Sequence, residues 1–302
     1  MNINLSQLKI ADSLWQRFII VAPYLWLLIF FLAPFAIVFK ISFSDPIVAQ
    51  PPYTAIFNFS EQAENWFHIT FDNYLFLLED SLYWISYLKS VKIAFISTSL
   101  CLLIGYPMAY AIARASPVWR NLLLILIILP FWTSFLLRVY AWMGMLSTHG
   151  VINNFLIGIG LIKEPLKLLY TDLAVYLGIV YTYLPFMILP LYASLERLSF
   201  DLNEAAADLG AKPMVVFRDI TLPLSIPGII AGSMLVFIPA MGEFVIPALL
   251  GGLDSLMIGR TLYDEFFSNR DWPLSSAVAT ILLLILVVPM MIFQHYQIKE
   301  VD

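Results

Sequence analysis

The chain has 302 residues, 61% of them hydrophobic and 12% charged, with a net charge of −5 and a mean hydropathy of +0.86. Soluble domains carry about 25% charged residues, so this composition excludes a protein whose whole surface faces water. The single cysteine, Cys101, lies in an apolar run and excludes an internal disulfide framework or a thiolate metal site. His68, His149 and His295 sit in unrelated segments with no ligand spacing, so no metal site is expected.

Residues 1–18 read as a cytoplasmic tail, too polar for a signal-peptide core, and the apolar run behind them is too long for one. A bilayer crossing needs about 20 apolar residues, and six stretches qualify: 19–41, 91–113, 121–146, 172–194, 227–250 and 274–293. The third contains Pro130 and Arg138, and residues 147–171 after it read as an outer loop. A tail, 294–302, follows the last. The expected fold is an all-α membrane protein with six transmembrane helices in one domain, 19–293. Prolines 34, 107, 130, 185, 190, 239, 247 and 289 fall within the spans. Each removes a helix hydrogen bond and favours a kink, which suits a transport pathway and ordinary bundle packing alike.

Lys and Arg near short loops set orientation. Lys9 and Arg17, Arg114 and Arg120, Arg197, Lys212 and Arg218, and Lys299 mark one side, whereas residues 42–88 hold six acids and neither Lys nor Arg. Both termini are therefore expected in the cytoplasm.

The cytoplasmic loop 195–226 contains DLNEAAADLGAKPMVVFRDITLP, residues 201–223. Asp201 and Glu204 have capping-box spacing, and Leu202, Ala205, Ala206 and Leu209 share a helical face. Gly210 fits a C-cap with positive φ, and Pro213 fits the first turn of a second helix. Such a knob suits docking in a protein groove or lying on the membrane surface. Its mixed-charge polar face and its alanines favour docking.

The spacing Glu204-Ala205-Ala206, Gly210, Ile220, Leu222-Pro223 resembles the cytoplasmic signature of permease subunits of ATP-binding-cassette (ABC) importers. That resemblance implies a type I importer permease bundle with a cytoplasmic coupling helix seated in an ATPase subunit. It makes Glu204 the polar contact, Ala205 and Ala206 the close-packing face and Gly210 the turn, and Leu209, on the same helical face, joins the docking set. The chain has no phosphate-cradling G-x-x-x-x-G-K-[ST] loop. No cofactor is expected on this chain, and ATP with Mg would belong to the partner.

Glu243 is the acid deep in an apolar span, about 24 Å from the inner end by helical rise, and Arg138 lies about 26 Å into its own span. A charge at that depth costs roughly 3 kcal/mol. The two therefore read either as an ion pair or as a pathway in which Glu243 meets a cation. Trp132, Tyr140, Trp142, Tyr181 and Tyr183 supply cation–π surfaces or an interfacial belt. Residues 130–142, 208–252 and 258–273 resemble permeases of putrescine and spermidine importers, and IPAMGEFVIPALLGG at 238–252 is closer to the putrescine type. The resemblance implies the substrate class, while depth, charge and aromatic surface make Glu243, Trp132, Arg138 and Tyr181 the candidate pathway residues. Its expected partners are two copies of an ATPase subunit, a second permease and a periplasmic polyamine-binding protein. The setting is the lipid of a bacterial inner membrane, with no nucleic acid. Another small solute, or an ion-coupled transporter using Glu243, are the alternatives. No paired catalytic side chains point to an intramembrane enzyme.

Overall fold

The computed structural model describes residues 19–55, 69–199, 201–252 and 255–299. The tail 1–18, part of the acidic loop and residues 300–302 lie outside them. Among the described residues the regular structure is helical, and the chain divides into two compact units, residues 80–263 and residues 1–79 with 264–302.

In the two-segment unit, α1 (Ile19–Ile41) is a continuous apolar helix of 23 residues. Its C-terminal end is held by polar groups. Asn73 on α2 (Asp72–Glu79) donates to the carbonyls of Ser42 and Ser44 at 3.0 and 2.9 Å, and Ser42 bonds Tyr74 at 2.7 Å.

The larger unit is built on three helices that pack on one another: α3 (Ser81–Arg114), α7 (Asp172–Glu196) and α10 (Ile226–Met241). Asp80 caps α3 by accepting from the Leu82 amide at 2.8 Å. The core joins Cys101, Tyr106, Ala109 and Ile112 of α3, Met187, Ile188 and Leu191 of α7, and Val236 of α10. In an apolar solvent such helices are held by close approach rather than by expulsion from water. Gly228 and Gly232, one turn apart on α10, provide it: a Cβ on Gly232 would lie 2.8 Å from Met187 Sδ, and one on Gly228 2.5 Å from Ser194 Cβ. At one end, Arg120 donates to the Ala113 and Ala115 carbonyls and pairs with Glu196 at 2.8 Å. One guanidinium thus ties the close of α3 to α7.

Between α3 and α7 run α4 (Pro117–Trp132), α5 (Phe135–Leu146) and α6 (Val151–Gly158). The expected continuous span 121–146 is broken, because α4 and the α5–α6 segment meet at 91°. Pro130 lacks an amide, the chain narrows to a 3₁₀ turn at Leu129–Trp132, and Thr133 and Ser134 leave helical geometry. The expected span 227–250 is broken as well. α10 ends at Met241, and α11 (Val245–Leu250) starts after a turn at 242–244. By contrast α3 runs through Pro107, and α7 through Pro185 and Pro190, without ending.

α8 (Asp201–Asp208) and α9 (Pro213–Leu224) precede α10, with a 63° bend between α9 and α10. α12 (Ile258–Tyr263) closes this unit, and α13 (Trp272–Lys299) belongs to the other, where it packs on α1. Asp271 caps α13 through the Leu274 amide at 2.9 Å, and burial pushes its carboxyl up from the ordinary range. By length and apolarity, α1, α3 and α7 can each cross a membrane alone, and the two bent pairs qualify when each is taken together; α13 opens with a shorter apolar stretch, Trp272–Val287.

Candidate functional site

The break between α10 and α11 builds the site. Glu243 sits in the turn, 7% exposed, with its carboxylate folded over the start of α11. Its Oε1 accepts from the Phe244, Val245 and Ile246 amides at 3.2, 3.0 and 3.4 Å. These donors have no partner inside a helix. Tyr183 on α7 donates its hydroxyl to Oε2 at 2.5 Å. The turn is wedged from two sides. Phe244 stacks on Tyr263 with centroids 4.9 Å apart, and a Cβ on Gly259 would lie 2.4 Å from the Gly242 carbonyl oxygen.

The carboxylate borders a cavity of about 510 Å³. Its other walls are Phe131 at the end of α4, Phe135 and Arg138 on α5, Thr182, Tyr183 and Phe186 on α7, and Pro239 on α10. Phe131 meets Phe186 edge to face at 5.2 Å. The Arg138 guanidinium lies 5.4 Å from the Phe131 ring centre and 5.9 Å from that of Phe135. Its Nε is buried and has no hydrogen-bond partner. Glu243 and Arg138 thus face one cavity without forming an ion pair; the carboxylate is satisfied by a phenol and three amides instead.

Chemically this is a small polar locus in an apolar, aromatic chamber. Ionised carboxylates offer about four lone-pair positions, so Oε2, with one donor, retains room for an ammonium. The rings of Tyr183, Phe186, Phe131 and Phe135 add cation–π surface to the same volume.

Of the four expected pathway residues, the structure brings together Glu243 and Arg138. Tyr181 lines a separate apolar cavity of about 470 Å³ with Pro130, Leu184 and Ile188, and packs edge-on against Trp142. Trp132 is 80% exposed and lines neither cavity. Phe131, Phe135 and Phe186 are lining aromatics that the sequence did not single out, and Tyr183, expected there only as one of five cation–π aromatics, is the hydroxyl that meets Glu243. Helical phase holds the missing signal: at 100° per residue, Tyr181 and Tyr183 point about 200° apart, so only one of them can face Glu243.

The coupling-loop residues form a second, separate locus. Glu204 and Ala205 are exposed on α8 with Ala206 half-buried, and Leu209 is 90% exposed. Gly210 has φ +83°; its amide bonds the Ala207 carbonyl at 2.9 Å, while that of Ala211 reaches Ala206 at 3.0 Å. That is the Schellman closure of a helix, which a side chain at Gly210 would strain. α8 starts at Asp201, whose carboxylate accepts from the Ser199 hydroxyl and whose amide donates to the same oxygen. Among the described residues no group of three or more His, Cys, Asp or Glu could hold a metal ion.

Known proteins resemble the chain at both levels. Residues 101–302 match the family of binding-protein-dependent transport system inner membrane components. The spermidine/putrescine transport system permease protein PotB of Haemophilus influenzae is 38% identical over 295 residues, 97% of each chain. PotB of Escherichia coli is 44% identical over 224 residues, 74% of this chain and 81% of that one. Among solved structures, a bacterial ABC transporter involved in the import of the acidic polysaccharide alginate superposes with a TM-score of 0.66. It covers 98% of this chain and 99% of that one at 18% identity. The MetNI methionine ABC transporter in its inward-facing form gives 0.53 at 15% identity, over 70% and 92% of the two chains. The helical architecture is that of type I ABC importer permeases. The chain belongs to the binding-protein-dependent transport system inner membrane component family: it is an ABC importer permease, a multi-pass inner-membrane protein and not an enzyme.

Proposed function

We propose that this permease carries polyamines into the cytoplasm, with putrescine the preferred substrate, and that the Glu243 cavity lies on the path. The observation that carries the reading is a buried carboxylate facing a chamber with aromatic walls. Ammonium groups are favoured there by charge-assisted hydrogen bonding and by ring quadrupoles. The spermidine/putrescine relatives support the substrate class, and the sequence at 238–252 supports the preference for putrescine.

The transporter would join this chain to a second permease, two ATPase subunits and a periplasmic polyamine-binding protein, with both termini of this chain in the cytoplasm. α8 and its Gly210 turn would dock in the ATPase, with Glu204 as the polar contact and Ala205, Ala206 and Leu209 as the packing face. ATP and Mg would be bound there, and ATP binding would shift the bundle between inward-open and outward-open states. The permease supplies differential exposure of one site, which partner contacts bias.

The test is radiolabelled putrescine uptake in cells stripped of their own polyamine importers. The chain is expressed with its neighbouring ATPase, second permease and binding-protein genes. Accumulation that disappears with an ATPase-dead partner is expected. Accumulation that ignores the ATPase mutation would point to ion-coupled transport, and none at all would remove polyamines as the cargo.

A further inference from the structure

The cavity contains one carboxylate and one guanidinium that face the same volume and do not meet. Glu243 is held in place by four donors on its own turn and on α7. Arg138 has a buried Nε without an acceptor, and its guanidinium lies 5.4 and 5.9 Å from the Phe131 and Phe135 ring centres. The two groups are unequal in freedom. The carboxylate belongs to a backbone turn clamped by Gly259 and Tyr263, whereas Arg138 is a long side chain on α5, beyond the break in which Thr133 and Ser134 leave helical geometry. A guanidinium whose buried Nε lacks an acceptor is drawn to a carboxylate it can reach, and Glu243 is the carboxylate lining the same cavity. The open lone pair of Oε2, which serves a substrate ammonium, would equally accept a guanidinium N–H.

We propose that Arg138 is the internal competitor of the substrate: when the cavity narrows around Glu243, its guanidinium takes the place of the substrate ammonium on Oε2 and drives release. The inference rests on the polyamine reading of the same cavity. The Glu243–Arg138 pair is then one state of a cycle, and the arrangement described above, with the two apart, is the state that accepts a cation. Arg138 acts through Glu243 and is a positioning residue rather than a ligand. Volume alone would select poorly. At about 510 Å³ the chamber is within the range that takes drug-sized ligands, far larger than a linear diamine, so charge rather than fit must control occupancy.

The test compares putrescine uptake kinetics of the complete transporter carrying Arg138→Gln, Arg138→Lys, Glu243→Gln and the double variant Arg138→Gln/Glu243→Gln, at matched membrane levels. Removing the competitor is expected to lower KM for putrescine several-fold and to lower the maximal rate by a similar factor, because substrate binds unopposed and leaves slowly. Lysine is expected to restore both values toward wild type. The double variant is expected to match Glu243→Gln alone, since without the carboxylate nothing remains to compete for. A merely structural arginine would instead lower the rate with KM unchanged or raised, and its loss would add to that of Glu243; either result overturns the proposal. Putrescine uptake by the wild type with unchanged Arg138→Gln kinetics overturns this inference alone. Absence of wild-type uptake overturns the polyamine reading and this inference with it.

Discussion

Gly259 lies sixteen positions along the chain from Glu243 and controls where that carboxylate sits. A Cβ there would lie 2.4 Å from the Gly242 oxygen and 2.8 Å from the Glu243 oxygen, both backbone atoms that cannot swing aside. Overpacking of this kind costs about 1–3 kcal/mol, and a shift of the turn to relieve it would carry the carboxylate away from the Tyr183 hydroxyl. Gly259→Ala is expected to raise KM for putrescine about tenfold, equivalent to about 1.4 kcal/mol, with normal membrane levels; uptake kinetics beside immunoblots of the membrane fraction check it. Counting helical rise from sequence placed Glu243 and Arg138 at one depth, and they do border one cavity. What the count lacked was the rotation of each helix about its axis. For that reason Tyr183, rather than Tyr181, proved to be the partner of Glu243.

Among the elements, the turn after α8 was legible because its chemistry is local. Glycine at a position of positive φ and proline at the next helical start specify helix, turn, helix with no tertiary information. The breaks at 132–135 and 242–244 were not legible, because apolar length alone cannot distinguish one span from two half-helices. Proline did not mark them reliably either: α3 and α7 pass through theirs, while the turn at Glu243 depends on a side chain folding back over three amides. A β-branched residue at Gly210 would be forced into left-handed backbone and would unseat Leu209 and the exposed face of α8. Gly210→Val is expected to abolish uptake, by two orders of magnitude or more, while the protein still inserts. Wild-type uptake by that variant would remove α8 as the docking element.

For the whole molecule, the large exposed side chains explain the composition. Phe95, Leu103, Leu126 and Leu137 are each half exposed or more on helices whose other faces form the core. Water would not tolerate such surfaces, but lipid or a second permease would. The membrane class was therefore legible from composition alone, and the resemblance in loop 201–223 supplied the family that the matched residues 101–302 establish. The chemistry of the path was not legible at this scale, because it depends on which faces of α4, α5, α7 and α10 meet. The most direct measurement of the central claim is KM for putrescine uptake by the complete transporter carrying Glu243→Gln. The amide oxygen can still accept from the three backbone amides and the NH2 group can donate to the Tyr183 hydroxyl oxygen, so the change removes charge while leaving the shape of the turn. A rise in KM of about tenfold at normal membrane level is the expected result, as the acceptor that faces the cavity gives way to an amide NH2 and a charge-assisted hydrogen bond is lost. An unchanged KM would contradict the assignment of this cavity to the polyamine path.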